Sequence, residues 1–204
     1  MTESDGATLD SAEELRKVYP MYQDLTVRKV LPYLDAHCRD FIAHSPFLCV
    51  ASAGEDGAVA VSPRGDPAGF VTVEDEKTLI IPDRPGNNRL DIMENLLVRP
   101  QVGIIFFIPG RDDTLRVKGT ALIDVSPQRI AAHAVASRTP RSVLRVAIDE
   151  VFIHCGRALK RSRLWSGEPA PAAEDVAPFG RILSEHSKVE LSDELVERED
   201  WKLY

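Results

Sequence analysis

The chain has 204 residues, 44% of them hydrophobic and 28% charged, ordinary values for a soluble globular protein and enough for one large domain with appendages. A net charge of −7 and a pI near 5.3 argue against general nucleic-acid binding, which leaves a basic footprint. No stretch reaches the roughly 18–20 apolar residues of a membrane helix. Three cysteines (Cys38, Cys49, Cys155) without CxxC spacing fit a reducing cytoplasm better than a disulfide framework. The acidic start MTESDGATLDSAEEL resembles neither a signal nor a transit peptide, so a cytoplasmic location is expected.

Residues 1–8 are expected to be disordered. Ser11 and Glu14 form a capping box for a short helix through Val18, which Pro20 ends. Thr26 is expected to cap a second helix with Val30, Leu34, Cys38, Phe41 and Ile42 on one face. Pro32 kinks that helix or delays its start, and Ser45-Pro46 closes it. FLCVASA then reads as a strand, GEDG as a turn and AVAVS as the returning arm of a hairpin. PRGDPAG is expected to be a loop too irregular to continue the ladder. FVTV and TLIIP form a second hairpin, and the turn-rich PDRPGNN opens a short helix with Asn88 and Arg89 that stops at Pro100.

VGIIFFI is apolar on both faces, as a central strand should be, and PGRDD turns the chain into TLRVKGTALID. Ser126 is expected to cap a helix through about Ala136, with SRTPRS a loop after it. VLRVAIDEVFIHC is a long strand, ALKRSRLW a basic helical turn and SGEPAPAAEDVAP a linker. FGRILSEHS and SDELVERE are two amphipathic pieces before WKLY. Six or seven strands in hairpin order, flanked by helices, predict a mainly β fold closed as a small antiparallel barrel.

Four constellations could carry chemistry. In DRPGNNR, Gly86 gives backbone freedom and Arg89 puts a cation in the first turn of the expected helix, where the dipole opposes it. That placement favours an anionic ligand, the alternative being an ordinary cap with a solvated arginine. Arg64 stands in VSPRGDPAGF, a stiff loop able to approach a flat ligand, or simply a wide turn. Arg116 and Lys118 share one face of a strand, which implies either solvent or an anionic partner. Lys160, Arg161, Ser162, Arg163 and Trp165 gather cations and a ring as a clamp for a phosphate and an aromatic group would, or as a charged helical surface would. His37 and His44 are too far apart on one helix to chelate together, so no metal is expected. Cys49 and Cys155 read as buried small hydrophobes, and neither a Walker loop nor GxGxxG is present.

Taken in order, SPFLCVAS, VSPRGDPAGFVTVEDEKTLIIPDRPGNNRLDIMENLL, RPQVGIIFFIPGRDDTLRVKGTA and VFIHCGRALKRSRLW resemble the pyridoxamine 5′-phosphate oxidase-like family. The nearest branch is a bacterial one marked by SPRGD, PDRPGN and IPG…TLRV. The likeness runs in register over residues 26–165. It implies an antiparallel split β-barrel that forms a homodimer and binds FMN at the subunit interface. It also divides the chain into an N-terminal helical extension (1–45), an FMN-binding barrel (46–165) and a linker with a helical tail (166–204).

Carried over by motif, Asn88 and Arg89 match the family's FMN phosphate contacts. Phe70, Val71, Pro82 and Asp83 match strand positions along the flavin and ribityl chain. Ser62 and Arg64 approach the isoalloxazine, Arg116 adds a polar contact, and Trp165, with Lys160, Arg161 and Ser162 before it, comes from the partner subunit. Ala60 departs from the acidic residue the branch often carries there. The C-terminal arginine–histidine signature that reads pyridoxamine phosphate has no counterpart, so a true pyridoxamine phosphate oxidase is not expected. The implied function is an FMN-dependent oxidoreductase using a small-molecule electron donor or acceptor, with no side chain nominated as catalyst. The alternative is a non-catalytic split-barrel protein binding flavin, haem or a deazaflavin.

Overall fold

A computed structural model describes residues 8–135, 139–167 and 175–190. The first helix, α1 (Ala12–Val18), starts where the capping box predicts: the Ser11 hydroxyl accepts the Glu14 N–H at 3.2 Å. The helix expected from Thr26 is instead two pieces. Thr26 lies inside α2 (Asp24–Arg28), and α3 (Ala36–His44) begins anew at Asp35, whose carboxylate accepts the Cys38 N–H at 2.8 Å. Pro32 separates them, because it has no N–H to donate and its ring crowds the preceding turn. The Leu31 backbone released by this break exchanges hydrogen bonds with Val151 at 2.9 and 2.8 Å, which ties the N-terminal segment to the sheet.

One antiparallel sheet contains β1 (Phe47–Ala53), β2 (Val59–Gly65), β3 (Thr72–Val73), β4 (Thr78–Pro82), β5 (Gln101–Phe107), β6 (Thr114–Asp124) and β7 (Val143–His154). Its order is β2-β1-β5-β6-β7-β4-β3. The two edge strands are consecutive in the chain, and this closes the fold. Laid flat, seven strands spaced about 4.8 Å apart would hold β2 and β3 roughly 29 Å from each other. The connection 66–71 reaches at most about 24 Å fully extended, and a bond from the Phe70 N–H to the Pro67 carbonyl bends it further. The sheet therefore curls until its edges approach without pairing, which is a split barrel.

Inside lie alternate strand residues: Leu48 and Val50, Ile104 and Phe106, Leu115 and Val117, Leu144 and Val146. Phe41 and Ile42 of α3 join this core. Ile92, Met93 and Leu96 of α4 (Asp91–Val98) pack on the same core. The register shifts between Lys118 and Gly119, where a side chain would collide with the Ala147 carbonyl oxygen, so the long β6–β7 ladder bends at a residue that must be glycine.

Two further expectations are corrected. PRGDPAG does not leave the ladder at once: β2 continues through Gly65, with Cys49 opposite Pro63 and Leu48 opposite Arg64. Pro63 is tolerated because β2 is an edge strand, where a missing N–H costs no ladder bond on the open side. The helix after Ser126, α5 (Pro127–Ala132), ends early, and the Ser126 hydroxyl makes no capping bond. The hydroxyl and N–H of Ser126, the latter donating to Asp124 at 2.8 Å, hold that carboxyl below its ordinary range. The chain finishes with α6 (Arg157–Ser162) and α7 (Phe179–Ser187); SDELVERE, WKLY and most of the expected linker lie outside the described residues. No described helix is long and apolar enough to cross a membrane.

Candidate functional site

Strand β2 and helix α4 lie side by side and leave a groove of ≈ 590 Å³ between them. Ser62 and Arg64 line it from the strand, Asn87, Arg89 and Leu90 from the loop, and Asp91 to Asn95 from the helix. The helix is docked by Asn95, whose side-chain amide donates to the Ser52 hydroxyl at 3.1 Å.

Two crossed ion pairs build the end of this groove. Arg64 pairs with Asp83, and Arg84 pairs with Asp66 at 2.5 Å, so the arginine and acid of each loop are matched by the acid and arginine of the other. The Asp66 side chain is 1% exposed and Arg84 also donates to the His133 carbonyl at 2.6 Å, which fastens both loops to the end of α5. The Asp83 N–H donates to the Ser142 carbonyl at 3.0 Å, extending the β4–β7 ladder by one residue. Arg64 is left with one unmet demand: its Nε is buried and has no acceptor. A buried donor in that state costs about 1–3 kcal/mol unless something supplies an oxygen.

The loop itself differs from expectation. Helix α4 begins at Asp91, not at Asn88, and Leu90 at its N-cap makes no side-chain bond. Asn88 adopts a left-handed backbone (φ 57°), and its side-chain oxygen accepts from Arg141 Nη1 at 3.0 Å. The Arg89 N–H donates to the Asn87 side-chain oxygen at 3.0 Å, an Asx turn that delays the helix. Arg89 thus precedes the first turn, and its exposed Nε holds Asp91 at 2.6 Å.

The other predicted residues lie elsewhere. Phe70, Val71 and Pro82 are buried, the first two within the hydrophobic core. Arg116 is exposed on the outer face of β6, over the Phe152 ring at 5.5 Å, and its neighbour Lys118 pairs with Glu150 at 2.7 Å. Lys160, Arg161 and Ser162 are exposed on α6, while Trp165 donates from Nε1 to the Arg111 carbonyl at 2.8 Å. Gly156 starts that segment because a side chain there would strike Asp112 at 2.5 Å. Strand β7 runs between Asp83 and the cluster: Val143 stands beside Pro82 at one end and His154 beside Thr114 at the other. At about 3.3 Å per residue those ends lie roughly 30–35 Å apart along the strand. One chain therefore brings together Ser62, Arg64, Asp83, Asn88 and Arg89, and the Lys160–Trp165 cluster is not among the residues lining their groove.

A larger groove of ≈ 740 Å³ runs between α3 and the turn 108–113, with Phe41, Leu115 and Val151 among its apolar residues. Its two long cations are engaged. Arg111 donates to Asp113 at 2.7 Å and holds that carboxyl below its ordinary range, and Lys29 donates to the Ile153 carbonyl at 2.8 Å. Cys38 lines it with a thiol that burial pushes up to about 12, so it is no nucleophile. Cys49 is half-buried and also shifted upward by burial, whereas Cys155 is exposed, against the expectation of a buried side chain. Among the described residues, no group of three or more His, Cys, Asp or Glu could hold a metal ion.

Sequence reasoning missed Asp66, Arg84 and Arg141. For the first two a signal was present, since RGD and DR carry complementary charges in opposite order. Arg141 offered none, because its bond to Asn88 spans 53 residues and exists only in the folded chain.

The family model described as Pyridoxamine 5′-phosphate oxidase matches residues 34–155. No curated protein matches the sequence. Among solved structures, the chain resembles HupZ of Group A Streptococcus at 20% identity and a TM-score of 0.47, covering 68% of this chain and 99% of that one. It also resembles an FMN-binding protein from Syntrophomonas wolfei (12% identity, TM-score 0.43, 70% and 96% covered). A third is an FAD binding protein from Mycobacterium smegmatis (12% identity, TM-score 0.42, 60% and 95% covered).

Proposed function

The chain belongs to the pyridoxamine 5′-phosphate oxidase family, and from that membership we propose that it is an FMN-dependent oxidoreductase acting as a homodimer. The observation that carries this reading is the buried Nε of Arg64, a donor on the groove wall with no acceptor of its own. The groove volume lies within the ≈ 300–1,000 Å³ common for cofactor sites. Arg89 and Asn88 hold the phosphate at the loop. Ser62 and Arg64 meet the ring system along β2, with Asp83 keeping Arg64 in place. Phe70, Val71 and Pro82 pack behind them.

The homodimer reading rests on two further observations. The outer face of the sheet is apolar where β2, β1 and β5 meet: Val61 faces out beside Ala51, and Pro63 beside Cys49 and Ile105. Val59 and Val61 are 71% and 66% exposed, and apolar surface of this kind marks an interaction site. In addition, the Lys160–Trp165 cluster lines no part of this groove in its own chain, which leaves it available to a second copy. The partner then supplies Trp165 and the cations before it, and Arg116 borders the interface on β6.

Bound FMN supplies hydride chemistry, while the protein supplies binding, orientation and exclusion of water. Titrating the purified protein with FMN and following quenching of flavin fluorescence tests the cofactor. Saturable one-per-chain binding is expected, and no binding would refute the reading. Anaerobic bleaching of the bound flavin by NADH or NADPH tests the oxidoreductase part. A flavin that neither donor reduces would favour a protein that only carries it.

A further inference from the structure

The guanidinium groups around the loop 83–91 differ in one respect. Arg64 is matched by Asp83, Arg84 by Asp66 and Arg89 by Asp91. Arg141 is not. Its Nη1 donates to the side-chain oxygen of Asn88 at 3.0 Å, a neutral partner, and among the described residues no carboxylate stands within ion-pair distance of it. Its place is fixed from both sides. Ser142, the next residue, is buried and accepts the Asp83 N–H at 3.0 Å, while Asn88 lies between the groove residues Asn87 and Arg89.

This arrangement matters for a dianion. A phosphate monoester brings about −1.5 to −2 charges at neutral pH. At Arg89 it must compete with Asp91, and at Arg64 with Asp83, so neither cation offers a full uncompensated charge. Arg141 does, one residue from the groove, and its bond to Asn88 also steadies the left-handed residue that sets the loop's course.

We infer that Arg141 is a phosphate-binding residue of this groove and the one that makes it prefer a phosphorylated flavin over an unphosphorylated one. This rests on the FMN reading above and adds a residue and a selectivity to it. The carboxylate-paired Arg64 and Arg89 shape the site, and Arg141 supplies its net attraction.

The test compares FMN with riboflavin, which lacks the phosphate, in fluorescence titrations of the wild type, Arg141→Ala and Arg141→Lys. Arg141→Ala is expected to weaken FMN binding by about 10- to 100-fold, the scale of a charge-assisted hydrogen bond. Riboflavin affinity should stay within about twofold, which also reports that the variant is folded. Arg141→Lys, which keeps a charge without the planar fork, should recover most of the loss. An FMN affinity of Arg141→Ala within about twofold of wild type would overturn the inference. So would equal losses for both ligands, which mean that Arg141 only props up the loop. A wild type that binds neither ligand would overturn the flavin reading together with this one, so the two failures are distinguishable.

Discussion

Arg89 and Asp91 set the charge of the groove against the stability of its helix. Asp91 is the first residue of α4, where a carboxylate favours the helix dipole by about 0.3–1 kcal/mol, yet it also neutralises Arg89 at 2.6 Å. Asp91→Asn should therefore tighten FMN binding by about two- to fivefold, the range of an exposed ion pair. The same change should lower the melting temperature by roughly 1–4 °C, so titration and thermal melting should move in opposite directions. Asp35 presents the simpler case of a carboxylate that caps a helix. The Cys38 N–H holds its pKa below the ordinary 3.8, so its contribution is complete above that value and is lost as pH falls through the depressed one. Asp35→Ala should cost about 1 kcal/mol at pH 7, and the gap between variant and wild-type melting curves should close as pH falls through the depressed value.

At the scale of elements, alternation and turn residues made the hairpins legible. FLCVASA, TLIIP and TLRVKGTALID are strands over the residues read from sequence, and FGRILSEHS is helix α7. What the sequence hid depends on neighbours. Pro63 looked like a strand breaker because nothing local says that β2 is an edge, and the Asx turn at Asn87 delayed a helix that the residue types would have started sooner. The Thr26 helix failed for a local reason, Pro32, but the Leu31–Val151 bridge that makes the break tolerable is long-range. Arg64 and Arg89 could be singled out from sequence as groove cations. Their carboxylate partners, and Arg141, needed the fold. Gly119 is the element-scale test: Gly119→Ala drives a methyl into the Ala147 carbonyl and should destabilise by about 1–3 kcal/mol or more, read as a large fall in the denaturation midpoint.

For the whole molecule, the apolar outer face and Trp165 belong to one prediction. Val61→Lys places a charge on a side chain that is 66% exposed in the single chain, so the fold should survive. Light scattering should give a dimer for wild type and a monomer for Val61→Lys. A dimer that persists in the variant would move the interface to another face. The sheet order has a consequence for how the chain is made. Strand β7 is the last in sequence, yet it lies between β6 and β4, so the β3–β4 hairpin has no neighbour to join until β7 leaves the ribosome. At about 5–20 residues per second that wait lasts several seconds. During it Thr78, Leu79, Ile80 and Ile81, all buried in the finished barrel, remain open to water and to chaperones, and the birth of the barrel is timed by its C-terminal strand.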